Sequence, residues 1–217
     1  MNGPPSGTLW ASPVSTCSRR VIACLHEVGA DWDFVPIDLG KGEQKSEAVL
    51  AIQPYGKVPI WQDTPGAFTL FESRAIVRHL AEGSHLVPAD AKARAFMEQW
   101  ISIDYSYFGP SFLPIYYMRF LRKVPLDEAK CAEHEAALLP TLDILESRLA
   151  ESEYLACTDF SLADLTYLCY FAMFDKVGLQ GLVDSRPKLS AWWKRCSERE
   201  SWRYAMLPAE ILKRTRV

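Results

Sequence analysis

Three places in this chain put hydrogen-bonding groups where a charged ligand could use them. Around Gln53 the chain reads QPYGKVPIWQD, with Pro59 among residues of strand character, Val58, Ile60 and Trp61. Proline has no N–H to give to a ladder, so Pro59 belongs at a sheet edge, a bulge or a tight turn. A trans bond makes it an edge proline and nothing more. A cis bond turns the N–H and C=O of Val58 outward, free to pair with an extended ligand as a one-residue strand addition. The second place is FESRAI, where Ser73 is expected to cap a helix. The first-turn amides suit a carboxylate and Glu72 suits an ammonium, so a zwitterionic amino-acid head fits both. The bland alternative is an ordinary cap beside a solvated glutamate.

The third place is Ser15, at the junction of a first strand and a first helix, where amides and helix dipole favour negative charge. The four histidines, His26, His79, His85 and His134, sit in helix-like stretches or the connecting segment, so no base activates this serine. A serine without a base is inert as a nucleophile, which leaves Ser15 as a donor to an incoming anion or as a plain helix cap. Cys17 shares that first turn, where a thiol pKa can fall. Its offset from Ser15 carries it roughly 200° around the helix toward the sheet, so it reads as buried filler.

The elements that must hold these groups divide the chain in two. Residues 1–83 mix strand and helix signals: GTLWA as a strand, a helix with Val21, Cys24, Leu25 and Val28 at helical spacing, and WDFVPIDL as a second strand. A polar loop and a short helix around Ala48 to Ile52 follow. Val58 to Gln62 and Phe68 to Phe71 then form a hairpin across the turn DTPGA. The helix after Ser73 turns Ala75, Ile76, His79 and Leu80 inward. The order is β-α-β then β-β-α, a small α/β sheet whose first crossover is parallel and right-handed. EGSHLVPAD reads as a linker, and residues 90–217 as an all-helical domain. There, a kink is expected near Gly109–Pro110 or Pro114, and Pro140 predicts another bend. DFSLADLTYLCYFAMFDKVG is apolar all round and should be buried. A capping box of Ser161 with Asp164 and a staple of Phe160 with Leu165 should start its helix, and PKLSAWWKRCSERE should close the bundle.

Composition narrows the function classes. The chain has 217 residues, a net charge of −3 and no basic stripe interleaved with aromatics, and its tail LKRTRV is too short for a nucleic-acid surface. No apolar run reaches the roughly 20 residues that span a bilayer, and MNGPPSGTLW lacks the pattern of a secretory leader. Six cysteines show neither CxxC nor zinc spacing, so no metal site is expected, and a reducing cytoplasm is.

Together, SPVSTCSRRVIACLHEVG, KGEQK, QPYGKVPIWQD, FESRAI and FSLADL resemble the cytosolic glutathione transferases, in particular the plant phi class, over essentially the whole chain. The resemblance implies a thioredoxin-like domain followed by an all-helical domain, commonly as a homodimer. It implies glutathione as co-substrate, with no tightly bound cofactor, and a hydrophobic electrophile as partner. On this resemblance Pro59 is a cis-proline, Val58 pairs with the cysteinyl unit, and Glu72 and Ser73 hold the γ-glutamyl head. Lys45 lies near the glycyl carboxylate, Lys57 just before the pairing valine, and Ser15 at the position of the catalytic serine. Gln44 stands where the class usually has histidine and would donate to the glycyl carboxylate without charge. The linker is shorter than in typical phi proteins. The electrophile pocket is expected between the domains, from Trp10, Pro13, Phe112, Tyr116 and Phe120. Conjugation is the expected activity, with a peroxidase activity toward organic hydroperoxides beside it. The rivals are a thiol transferase using Cys17, a non-catalytic carrier of hydrophobic ligands, and a purely structural domain, which the intact site set argues against.

Overall fold

A computed structural model of the chain describes residues 4–64 and 68–212. Its contacts divide it into two compact units: the chain up to Leu86 together with the segment from Glu198 on, and Val87–Ser197. The division differs from the expected 90–217 domain, in that residues 198–212 group with the first unit. Part of the turn DTPGA, nearly all of the tail LKRTRV and the first residues of MNGPPSGTLW lie outside the described residues.

In the first unit, strand β1 (Ser6–Ala11) leads to helix α1 (Thr16–Glu27) and strand β2 (Asp31–Pro36). A 3-10 turn (Glu43–Lys45) and helix α2 (Glu47–Leu50) precede β3 (Ile60–Asp63), β4 (Thr69–Phe71) and α3 (Ser73–Ala81). The sheet order is β2-β1-β3-β4, with β1 parallel to β2 and the other pairs antiparallel. This is a thioredoxin-like arrangement.

β3 lies between β1 and β4, so it is not the edge strand expected from Pro59. The conflict with proline chemistry disappears because the strand begins at Ile60, one residue after Pro59, and no ladder donor is missing. Trp10 and Ile60 are register partners, and one face of the sheet packs them with Ile37, Val49 and the half-buried Leu39, Ile52 and Val58. On the other face Leu9, Ala11 and Trp61 are fully buried. Helices α1 and α3 pack against each other, and α10 (Glu200–Ala205) packs on α1.

Glu27, at the end of α1, fastens that last contact. Its carboxylate accepts from Arg199 Nε at 2.7 Å and Nη2 at 2.9 Å, and from the Ser201 hydroxyl. His85 Nε2 lies 3.1 Å away. Burial pushes the Glu27 carboxyl up, but the bonds from Arg199, Ser201 and His85 outweigh it and hold the group below the usual carboxylate range.

The second unit is helical throughout its regular structure, with α4 (Ala91–Ile103), α5 (Gly109–Ile115), α6 (Glu128–Glu151), α7 (Leu162–Phe171), α8 (Gln180–Asp184) and α9 (Pro187–Ser197). α9 ends at Ser197, three residues before the end of the expected PKLSAWWKRCSERE helix, and residues 198–212 join the first unit. The proline kinks expected between α4 and the end of the aromatic segment take the form of widened turns. Residues Asp104–Phe108 and Tyr116–Phe120 are π-helical, with Leu121 N–H reaching the Tyr116 carbonyl at 3.0 Å. A proline ring clashes with the carbonyl four residues back, and a wider turn beside it relieves the crowding while the helix continues. At Pro140, helix α6 runs on unbroken.

All ten residues of α7 are buried, as the apolar run requires. Its start carries the capping box: Ser161 N–H donates to Asp164 Oδ2 at 3.1 Å, and Ala163 N–H donates to Ser161 Oγ at 3.3 Å. Asp164 does more than cap. Its Oδ1 also accepts from Leu155 N–H at 2.9 Å and Trp192 Nε1 at 2.8 Å, tying α7 to the preceding loop and to α9. Around Phe108 the rings of Phe112, Tyr167, Tyr170 and Phe171 stand with centroids 5.2–5.9 Å away, an aromatic core at the spacing such pairs favour.

Candidate functional site

Register and chain direction bring the candidate residues of the first unit to one end of its sheet. Ile60 is paired with Trp10 on one side and Phe71 on the other. One step beyond those pairs lie Ala11, leading to Ser15; Pro59 and Val58; and Glu72 with Ser73. Segments separated by some 60 residues in sequence thus meet at the end of β1, the start of β3 and the end of β4.

The Val58–Pro59 bond is cis. Pro59 is buried and Val58 half-buried, with its side chain on the Ile37–Val49–Ile60 cluster. Among the described residues none takes the N–H or the C=O of Val58 into a hydrogen bond. A main-chain pair left open beside a paired sheet is what a short extended ligand adds to.

Ser15 is the N-cap of α1, with φ −79° and ψ 125°. Its hydroxyl oxygen accepts from the Ser18 N–H at 3.3 Å, so it does cap the helix. The hydroxyl proton is not used by that bond, and no acceptor among the described residues takes it. Ser15 is only half-buried. A group that accepts from the protein and still has a proton to give can donate to an anion beside it.

Glu72 and Ser73 require a correction. The helix begins at Ser73 itself, and the cap position is Glu72, whose φ of 72° and ψ of 106° are rare for a side-chain-bearing residue. The sharp turn at Glu72 already places Ser73 in the helix, so its hydroxyl does not cap; it accepts from Arg20 Nη1 at 2.8 Å. Glu72 is exposed and Ser73 is buried. The first-turn amides and an outward carboxylate remain side by side, as a zwitterion needs.

Lys45 folds across Gly56. Its Nζ donates to the Tyr55 carbonyl at 2.7 Å, and a Cβ on Gly56 would stand 2.6 Å from Lys45 Cδ. Gly56 also has a φ of +56°, so glycine is needed there twice over. Gln44 sits in the same 3-10 turn, its carbonyl oxygen 2.8 Å from that same Cβ position, and its buried side-chain Oε1 meets no donor. Lys57 is exposed, with its N–H on Gln53 Oε1 at 3.4 Å. Gln44, Lys45 and the Tyr55–Lys57 segment therefore flank the approach to Val58.

Three of the five aromatic-pocket candidates serve other purposes. Trp10 packs into the Ile37–Val49–Ile60 cluster and donates its Nε1–H to Gln62 Oε1 at 2.7 Å, which makes it a sheet residue. Phe112 is fully buried, stacked 5.0 Å from Phe174, and Tyr116 is buried against Phe112. Both are core of the second unit, because an all-apolar α7 needs an aromatic surface to bury against. Pro13 remains half-exposed on the loop after β1 and Phe120 remains exposed.

Cys17 is half-exposed, which corrects the expectation of a buried thiol. Arg20 Nη1 lies 3.9 Å from its Sγ. Sequence reasoning missed Arg20 altogether. An arginine on an amphipathic helix reads as solvated, and only the tertiary contact to Ser73 reveals it. Among the described residues no cluster of histidine, cysteine and carboxylate could hold a metal ion, and no helix is long and apolar enough to cross a membrane.

Family models of the glutathione S-transferase N-terminal domain and C-terminal domain match residues 14–82 and 105–200. Glutathione S-transferase PARB of Nicotiana tabacum is 37% identical over 201 residues, 88% of this chain and 92% of that protein. Glutathione S-transferase F10 of Arabidopsis thaliana is 36% identical over 205 residues, 90% and 94% of the two chains. Among solved structures, poplar glutathione transferase F1 superposes with a TM-score of 0.88 at 35% identity, covering 93% of this chain and 96% of that one. Glutathione transferase F7 of Populus trichocarpa gives 0.86 at 33% identity, covering 93% and 100%.

Proposed function

This chain belongs to the glutathione S-transferase family, within its plant phi (F) class, and on that premise we propose that it activates the glutathione thiol through Ser15 for attack on hydrophobic electrophiles. The observation that carries the reading is the open main-chain pair of Val58 beside the cis Pro59, at the same end of the sheet as the Ser15 hydroxyl and the Glu72–Ser73 corner. An extended tripeptide fits that row. Its cysteinyl unit pairs with Val58, its γ-glutamyl head meets Glu72 and the amides of α3, and its glycyl carboxylate reaches Gln44 and Lys45, with Lys57 adding positive charge nearby.

The energetics need no metal and no base. A thiol with pKa near 8.5 must fall by about two units to ionise at neutral pH, roughly 2.7 kcal/mol. One hydrogen bond to a charged group contributes about 1.5–3 kcal/mol. A helix N-terminus adds about 0.3–1 kcal/mol. The Ser15 hydroxyl and the start of α1 supply both. The thiolate then forms a C–S bond while the leaving group departs with its electron pair, or takes the terminal oxygen of a hydroperoxide, breaking the O–O bond and releasing the alcohol. In the second case another glutathione converts the resulting sulfenic acid to glutathione disulfide and water. Support for the conjugation reading comes from a maize relative, glutathione S-transferase I, whose structure is described as a complex with an atrazine glutathione conjugate. Pro13, half-exposed on the loop after β1 beside Ser15, remains the first unit's candidate for touching the electrophile. The same membership supports a cytoplasmic homodimer that uses glutathione as co-substrate and holds no other cofactor.

The test is turnover with glutathione against an aryl halide, an isothiocyanate, an organic hydroperoxide and a glutathione mixed disulfide. Conjugation with weak mixed-disulfide reduction supports the serine mechanism. A second reading, thiol transfer by Cys17, is favoured by that thiol's exposure and by the Arg20 guanidinium near it. Strong mixed-disulfide reduction that Cys17→Ser abolishes would establish it instead. Glutathione binding with no turnover on any of the four would leave the carrier role.

A further inference from the structure

Arg20 is the one fully buried cation among the described residues. It lies on α1, five residues after Ser15, and sends Nη1–H to the Ser73 hydroxyl oxygen at 2.8 Å, across to the first residue of α3. Burying a guanidinium costs several kcal/mol of hydration, in general terms, unless its donors find partners. An apolar residue would fill this helix position without that cost, so the cation has consequences worth tracing at Ser73.

A serine hydroxyl has one proton and two lone pairs. Where a guanidinium donates into one lone pair, the proton cannot point back along that line and must turn elsewhere. No acceptor among the described residues takes the Ser73 proton. Arginine keeps its charge across the whole working pH range, so this orientation never inverts. A charged donor also polarises the hydroxyl it touches and makes it a stronger donor in its turn.

We propose that Arg20 is a positioning residue of the glutathione site: it holds Ser73 with its hydroxyl proton directed away from the protein, as a donor to the α-carboxylate of the γ-glutamyl head. The proposal rests on the assignment of Glu72 and Ser73 to that head. The guanidinium does not touch the ligand; it decides which way the residue that does so points, and it sets a fixed positive charge behind the anion.

The test compares glutathione with 4-aminobutyryl-cysteinyl-glycine, which lacks only the α-carboxylate, by calorimetric titration of the full chain. Wild type should prefer glutathione. Arg20→Gln should lose about tenfold in glutathione affinity, the loss of one charge-assisted bond, with affinity for the decarboxylated analogue unchanged. Adding Ser73→Ala to Arg20→Gln should cost nothing more. KM for glutathione should rise while kcat at saturating glutathione stays near wild type. Arg20→Lys keeps the charge and one donor, so it should fall between the two, and it carries the same comparison if Arg20→Gln fails to fold. Equal losses for both ligands in either variant mean a merely structural arginine and overturn the proposal. Preference for glutathione that survives Arg20→Gln intact also overturns it, leaving the head-group site standing. A wild type that binds both ligands alike overturns the head-group assignment and the proposal together.

Discussion

Two serines start two helices in this protein, and they are finished differently. Ser161 at α7 is buried and closed. Its oxygen accepts from Ala163 N–H, its hydroxyl lies 3.2 Å from Asp164 Oδ2, and that carboxylate also serves Leu155 and Trp192. Ser15 at α1 is half-exposed and open, accepting from Ser18 N–H with its own proton unassigned. The side chain, backbone position and helix dipole are of the same kind in both. What separates a structural cap from a candidate catalytic donor is how many of its hydrogen-bonding groups the protein has already used, and whether a ligand can reach the remainder.

That contrast can be broken from either end, most strongly at the closed one. Asp164→Ala leaves four donors without their acceptor inside the second unit, where each buried orphan costs about 1–3 kcal/mol. A stability loss of at least about 3 kcal/mol is expected in the denaturant midpoint, well beyond the roughly 0.5–2 kcal/mol of a single lost cap. Conjugation per folded molecule should hold. A loss no larger than a cap would mean that the ties to Leu155 and Trp192 contribute little.

Ser15→Ala attacks the open end and should invert the pattern. Conjugation should fall by about one to two orders of magnitude, the loss of one bond to a charged sulfur, while the denaturant midpoint moves by no more than a single cap allows. The thiol pKa read from the pH–rate profile should climb toward that of free glutathione. An unchanged pH profile would remove Ser15 from the thiolate's surroundings.

A third measurement concerns a closed network that titrates. The folded-state pKa of Glu27 lies below its ordinary value of 4.5, so its bonds to Arg199, Ser201 and His85 stabilise the fold fully above about pH 4.5. That contribution is lost as pH falls through the lower folded value. The first unit should therefore lose stability on acidification below about pH 4.5, and Glu27→Gln should flatten that part of the curve at the expense of stability at neutral pH. Identical acid limbs for the two proteins would show that the pairing is energetically silent. The smallest effect is expected from Cys17→Ser, which should leave conjugation and its pH profile within about twofold, since a thiol that only neighbours the site gives no bond to the sulfur.

The site was legible wherever local chemistry forces a choice. Pro59 had to avoid a ladder, the FSLAD stretch had to cap, and the apolar α7 had to be buried. The expectation of an edge strand failed because a proline one residue before a strand and a proline within an edge strand look alike in sequence. Ser73 was misread as a cap because the positive φ at Glu72 starts the helix one residue early, and no residue type announces that turn. Trp10, Phe112 and Tyr116 were placed in a pocket because an aromatic side chain carries no mark of whether a core or a ligand covers it. The C-terminal segment was counted with the helical domain because a helical pattern does not say which unit it packs on; the Glu27–Arg199 pair, linking residues 172 apart, decides that.

By itself, then, the chain determined the element types, the capping box, and the apolar and polar faces, since these depend on side-chain chemistry and on contacts a few residues apart. Only the tertiary structure decided that β3 is central, that Val58 keeps its main chain open, that Arg20 takes the Ser73 oxygen and that the stretch from Glu198 joins α1. Each of these depends on which distant group occupies a given lone pair or N–H, and that is settled by the packing of whole elements.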